Sequence, residues 1–303
     1  MQSDAISRRT AISLLGGAGA FASAATSSRA AIRLEIGNYG MQSLAAERAL
    51  ALIREIGYDG AELCCMPGWP SEPARLDHEA RRRIRDSGIP IPSLIEAFNL
   101  VAAESELRQV PGRIHAAAEF ARDIAPDQPP LLQTVLGGKV GDWDKIRDVM
   151  VARLSDWAKV AGEAGIRLAV KAHAMNACNT PDKLVWLLDQ VHHPALTAIY
   201  DYGHFQVVNL SIEKTMERLL PRSALITVKD SAIVDGKIRF LLPGDGTINY
   251  RRYFGKVKEM GWHGWVLVEV TRQLQTEPGY DPAAAARRSF AHLAPILAEV
   301  GLR

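Results

Sequence analysis

Residues 196–204, Leu-Thr-Ala-Ile-Tyr-Asp-Tyr-Gly-His, decide how the rest of the chain is read. The run is apolar up to Asp201, and His204 follows three residues later. A continuous hydrophobic run of this length suits a strand buried on both faces of a parallel sheet. In α/β barrels the residues at the C-terminal ends of the strands carry the chemistry. An aspartate there can also do no more than cap the following helix. The catalytic reading gains weight because other strand-like runs of this chain end in polar or charged residues too.

Outward from that strand the pattern alternates with few breaks. Strands are expected at 32–37, 60–64, 89–95, 131–136, 166–172, 196–200, 224–229 and 265–270. Helices are expected at 43–57, 77–87, within 105–124, at 142–164, from Thr180 onward, and at 211–220, 250–260 and 283–300. Thr180-Pro181 supplies an N-cap followed by proline at the first helical position. Gly57, Gly88 and Gly165 close three of the helices, and a long loop after residue 229 holds Pro243-Gly244-Asp245-Gly246. Eight strand–helix alternations without an internal linker predict an α/β chain folded as one (β/α)8 barrel. A doubly wound sheet would need a switch point and usually a glycine-rich phosphate turn, and neither a GxGxxG nor a Walker pattern is present.

The first thirty residues are expected to lie outside this barrel. Ser7-Arg8-Arg9-Thr10 precedes an apolar stretch rich in Ala, Gly and Ser, and Ser28-Arg29-Ala30 offers a small-residue exit. That is the twin-arginine export pattern, with 1–30 as a cleaved leader and 31–303 as the barrel domain of a periplasmic or secreted protein. A membrane anchor or a tail without structure is the alternative, but the apolar run is too short to span a bilayer. The chain of 303 residues has 36 basic and 34 acidic side chains, and removing the leader leaves 33 of each. A neutral domain has no electrostatic footprint for nucleic acid. The cluster Arg81-Arg82-Arg83 with Arg85 falls in a helical stretch and is read as a solvated face. Cys64, Cys65 and Cys178 give no disulfide framework and are read as small buried hydrophobes.

Side chains two apart on a strand face the same way. This rule places Lys171 on the face of Ala169 with His173 continuing it, Lys229 with Thr227, and Glu269 with Leu267. Glu62 and Asp201 end their own strands. Any one of these could be a structural ion pair or a cap. Together, Glu62, Lys171, His173, Asp201, Lys229 and Glu269, with His204 on the rim, point to an active site at one barrel mouth.

Five stretches then resemble a known family. IRLAVKAH (166–173) resembles the "laiEnH" strand of the xylose isomerase-like TIM barrels, the sugar phosphate isomerase/epimerase superfamily. IYDYGH (199–204) is similar to its "DtgH", LITVKD (225–230) to its "vHlKD", PGDGTINY (243–250) to its "PGeGxidf" and GWHGWVLVEV (261–270) to its "GYxGxxxvE". The resemblance covers residues 33–303 in order. It implies a site built on one divalent metal held by Glu, Asp, His and Glu from four strands. Asp201 and Glu269 match that set, whereas Lys171 stands at the first Glu position and Thr227 at the His position. No cofactor is therefore expected, and the alternative is one Mn, Zn or Mg ion on Asp201 and Glu269. Exchanging a glutamate for a lysine changes the site by two charge units, which is the charge of the missing ion. His173 and His204 match histidines that touch substrate oxygens in the family.

The resemblance implies an isomerase or epimerase acting on a small sugar or keto-sugar by proton transfer beside a carbonyl. Glu269 is the expected base, Lys171 the electrophile beside Asp201, and His173, His204, Lys229 and Glu62 orient hydroxyls. A lyase on 3-keto-glycosides and a non-catalytic sugar-binding barrel are the alternatives. The expected partner is the sugar alone, without nucleic acid or stable membrane insertion, and self-association into homo-oligomers is compatible with the sequence.

Overall fold

The computed structural model describes residues 32–303. Ser7-Arg8-Arg9, Ser28-Arg29-Ala30 and the leader read from them lie outside the described residues. Eight parallel strands close into a barrel in the order β1-β10-β7-β6-β5-β4-β3-β2. They are β1 (Arg33–Gly37), β2 (Gly60–Cys64), β3 (Ser93–Ile95), β4 (Leu131–Thr134), β5 (Arg167–Val170), β6 (Leu196–Asp201), β7 (Ser223–Val228) and β10 (Trp265–Val268). The remaining strands, β8 (Asp230–Val234) and β9 (Lys237–Leu241), pair antiparallel outside the barrel.

The helices form the outer layer because each carries an apolar stripe toward the strands. The helix Ala46–Ile56 buries Ala46, Ala49, Leu50, Leu52 and Ile53, and ends at Gly57 with φ 106°, where a left-handed residue is required. Thr180 caps the helix Pro181–Val191 by accepting from the Lys183 N–H, as the sequence predicts. Among the described residues no helix is long and apolar enough to cross a membrane. All three cysteines are free and buried.

Alternation along the strands divides the barrel interior into levels. Ala169, Ile199, Leu225 and Leu267 form an apolar plug, with Leu131 and Trp265 packed against it. Polar side chains stand toward the C-terminal ends of the strands, so the plug is the floor of the mouth. The barrel is sealed by pairing of β1 with β10, with Leu34 opposite Val266 and Ile36 opposite Val268. Beside this seam the Ile32 N–H donates to the Leu302 carbonyl at 2.8 Å.

Three expectations need correction. The third strand starts at Ser93 and not at 89, because Pro90 and Pro92 have no N–H to give to a ladder. Residues 230–241 are not a loop but the β8–β9 hairpin, turning at Asp235 and Gly236, with φ 51° and 71°. His204 does not stand on the rim: it sits in a short helix, Tyr202–Gln206, and is fully buried.

Candidate active site

Four of the residues read from the sequence converge at the mouth. Lys171 follows the last residue of β5, Asp201 ends β6, Lys229 follows β7 and Glu269 follows β10. The Lys171 ammonium bonds Glu269 Oε2 and lies 3.3 Å from Asp201 Oδ2. The Lys229 ammonium bonds Asp201 Oδ2 and lies 3.5 Å from Glu269 Oε2. Each cation thus touches both anions, in an alternating ring of zero net charge. Lys171, Asp201 and Lys229 are buried, and only Glu269 keeps some exposure, 13% of its side chain.

A charge without a partner would not survive at this depth. Burial pushes the Glu269 carboxyl up, but Lys171 and then Lys229 outweigh it and hold the group at about 2. Burial also acts to raise Asp201, and Lys229 and Lys171 bring it below the usual range instead. Burial opposes the charge on Lys171, while Glu269 and Asp201 more than restore it, so the ammonium holds its proton more firmly than a free lysine.

The two histidines lie beside this ring as neutral groups. Their rings are 3.9 Å apart between centroids. His204 Nε2 is 3.4 Å from Asp201 Oδ2, and burial, followed by Lys229, holds its imidazole well below the ordinary range. His173 is half-buried and accepts from the Met175 N–H at 3.2 Å. Burial, then Lys171 and Lys229, bring it down to about 4. Phe240, on β9, covers the pair, edge-on to His204 at 4.9 Å and with its centroid 5.3 Å from the Lys229 ammonium. This ring is what takes His204 away from the rim.

Glu62 is the residue that stands apart. It does not end its strand as expected but is buried in the middle of β2, opposite Gly37, and among the described residues it makes no ion pair and its Oε2 has no hydrogen-bond partner. Asp201 Oδ1, Thr227 Oγ1, both ring nitrogens of His204 and both side-chain polar atoms of Gln133 are unpartnered in the same way. Native interiors rarely leave so many buried polar atoms unmatched in one place.

The sequence reading missed three residues here. Tyr39 lies in a short 3-10 helix, Asn38–Met41, just after β1, where strand alternation no longer applies, so it carried no such signal. Its phenol, raised to about 12 by burial and then by Glu269, faces the charged ring, and its side chain stacks on Trp69 at 5.5 Å. Gln133, on β4 opposite Ala169, was open to strand alternation. Phe240 had no signal of its own, since its place depends on how the hairpin folds back.

The donor set does not fit a divalent cation. Two ammoniums, Lys171 and Lys229, already bond the carboxylates of Asp201 and Glu269, and Lys171 and Thr227 occupy two of the four ligand positions that the resemblance implies. Among the described residues no group of three or more His, Cys, Asp or Glu side chains could hold a metal ion.

Comparison with known proteins agrees with this architecture. The family model described as "Xylose isomerase-like TIM barrel" matches residues 50–296. The inosose dehydratase of Geobacillus kaustophilus is 23% identical over 280 residues, covering 82% of this chain and 84% of that enzyme. The crystal structure of 3-keto-D-glucoside 4-epimerase from E. coli superposes with a TM-score of 0.67 at 16% identity, over 87% of this chain and 99% of that one. D-allulose 3-epimerase from Methylomonas sp. gives 0.68 at 13% identity, over 88% and 98%.

Proposed function

The chain belongs to the xylose isomerase-like TIM barrel family, and from that premise we propose that its mouth moves a proton beside the carbonyl of a small sugar or keto-sugar. The observation behind this reading is the contact of the Glu269 carboxylate with two buried ammoniums. Lys171 donates to the carbonyl oxygen and stabilises the enediolate that forms as the neighbouring C–H is broken. Glu269 takes that proton. Held at about 2, it is too weak a base in the resting site. When the carbonyl draws the Lys171 hydrogen bond to itself, Glu269 loses a cation and its basicity rises. Substrate binding and activation of the base are thus one event.

Return of the proton from Glu269 to the adjacent carbon gives isomerisation, and delivery of a different proton by a second group on the opposite face gives epimerisation. A second reading, elimination of a β-hydroxyl or a glycosidic oxygen, shares this first step and is favoured by the likeness to an inosose dehydratase. In either case lysine charge replaces the family's metal, and elemental analysis of protein purified without chelator should find well under one divalent ion per chain. The chemistry is proposed to run outside the cytoplasm, after twin-arginine export.

The deciding experiment is solvent-deuterium exchange at the carbon beside the carbonyl. Wild-type protein should exchange that hydrogen in a keto-sugar. Glu269→Gln should still bind the sugar but lose exchange by ~10²–10⁴, the range for removing a general base. Binding without exchange across aldoses, ketoses and 3-keto-glycosides would make the protein a sugar-binding barrel.

A further inference from the structure

Glu62 is used by nothing in the mechanism so far, yet its placement is built. Gly37 on β1 pairs with Glu62 on β2. The residue before it, Ile36, pairs with Val268 on β10, which Glu269 follows. Gly37 therefore lies between the two carboxyls at the barrel wall. Its φ and ψ, −79° and 136°, are extended values that any residue adopts, so the backbone does not ask for glycine. Space does: a Cβ there would lie 2.5 Å from Glu62 Oε1. The missing side chain is what lets the Glu62 carboxyl lie across β1 toward the mouth.

The two carboxyls have opposite surroundings. Glu269 touches both lysines, whereas Glu62 is 1% exposed, has no ion pair, and leaves Oε2 without a partner among the described residues. Glu35, one level deeper, at least accepts from the Ser93 hydroxyl. A buried carboxyl with no cation in contact keeps its proton. Burial, then Glu35 and Glu269, hold Glu62 well above the usual carboxylate range against the weaker pull of Lys171. One carboxyl held up and another held down, one strand apart at the same level of the barrel, are the pairing that general acid–base catalysis needs.

We propose that Glu62 is the catalytic acid of an elimination, giving its proton to the oxygen that leaves from the carbon β to the carbonyl. The inference rests on the proton-transfer reading above and selects its elimination branch. Glu269 takes the C–H proton, and the bonding pair forms an enolate held by Lys171. The enolate re-forms the carbonyl and its electrons make the new C=C as the β C–O bond breaks. The departing oxygen takes the Glu62 proton and leaves as water or an alcohol. The product is an unsaturated ketone, and one proton returning from Glu269 to Glu62 resets the site. No oxidant, reductant or cofactor is needed.

The test uses the full chain with methyl 3-keto-glucoside and an inosose as probes, following exchange in D2O and elimination in parallel. Glu62→Gln keeps shape and hydrogen bonding but cannot give up a proton. It should lower elimination by at least ~10² while exchange falls less than about tenfold. Gly37→Ala, which displaces the carboxyl and leaves Glu62 in place, should give the same split. The wild-type minus Glu62→Gln infrared spectrum at neutral pH should show a protonated carboxyl band. Elimination at the wild-type rate in Glu62→Gln, equal loss of both rates, or a carboxylate band instead would overturn the proposal. If wild-type protein exchanges nothing, the proton-transfer reading itself falls, and this inference with it.

Discussion

Lys171 and Lys229 are not equivalent, although each faces the same two carboxylates. Lys171 bonds the proposed base, so its removal should act on the chemical step. Lys171→Met is expected to cost ~3–4 kcal/mol of transition-state stabilisation, as for the loss of one oxyanion donor. Lys171→Arg should restore little, because a planar fork cannot occupy the place of a compact ammonium. Steady-state rates on a keto-sugar would check both, and full activity in Lys171→Met would refute the role. Below the ring, Glu35 offers a test on stability. Burial raises it to about 8 against the Ser93 bond and Arg33, from an ordinary 4.5. A raised acid contributes stability that is complete below its unfolded value and is lost as pH climbs through its folded one. Glu35→Gln should therefore gain on wild type by roughly 1.4 kcal/mol per pH unit between those two values. Denaturant titrations at both ends of the window would show it, and a flat difference would mean that Glu35 is ionised in the fold.

Among the elements, the β8–β9 hairpin lays Phe240 against the two histidines. The Phe240 N–H donates to Gln273 Oε1 at 2.9 Å, which ties β9 to the short helix Arg272–Gln275 after β10. Truncation by Phe240→Ala should open the space above His204. Burial is the largest cause of that imidazole's weak basicity, so its titration should move up toward the ordinary histidine range, as followed by NMR. An unmoved titration would assign the cover to another side chain. This hairpin also shows where sequence reading stopped. Asp235-Gly236 is the strongest short hairpin signal there is, yet it sits between the strand ending near Lys229 and the Pro243-Gly244 turn, where a barrel pattern expects only a loop. The strand ends were legible because period-two alternation is local: Lys171, Asp201, Lys229 and Glu269 meet as their parity requires. The burial of His204 was not, since the ring that covers it arrives from a non-local element. The resemblance implied a histidine ligand where Thr227 stands, whereas the second ammonium on Asp201 needed coordinates.

For the whole molecule, eight alternations carried most of the fold, because a closed parallel barrel leaves few other arrangements for them. The proposed export belongs to this scale. Replacing Arg8 and Arg9 with lysine should hold a tagged protein in the cytoplasm, as judged by fractionation, and unchanged export would show the leader to be misread. Finally, the seam between β1 and β10 brings Ile32 within 2.8 Å of Leu302. Seen from there the barrel is a ring: each of its eight strands has two neighbours, and none is an edge. A bridge from Arg303 back to Ile32 would cross almost no distance, and new ends cut at Asp235-Gly236, on the tip of a hairpin outside the barrel, would sever no rung. The order in which synthesis delivers the strands is an accident of where the ring was opened.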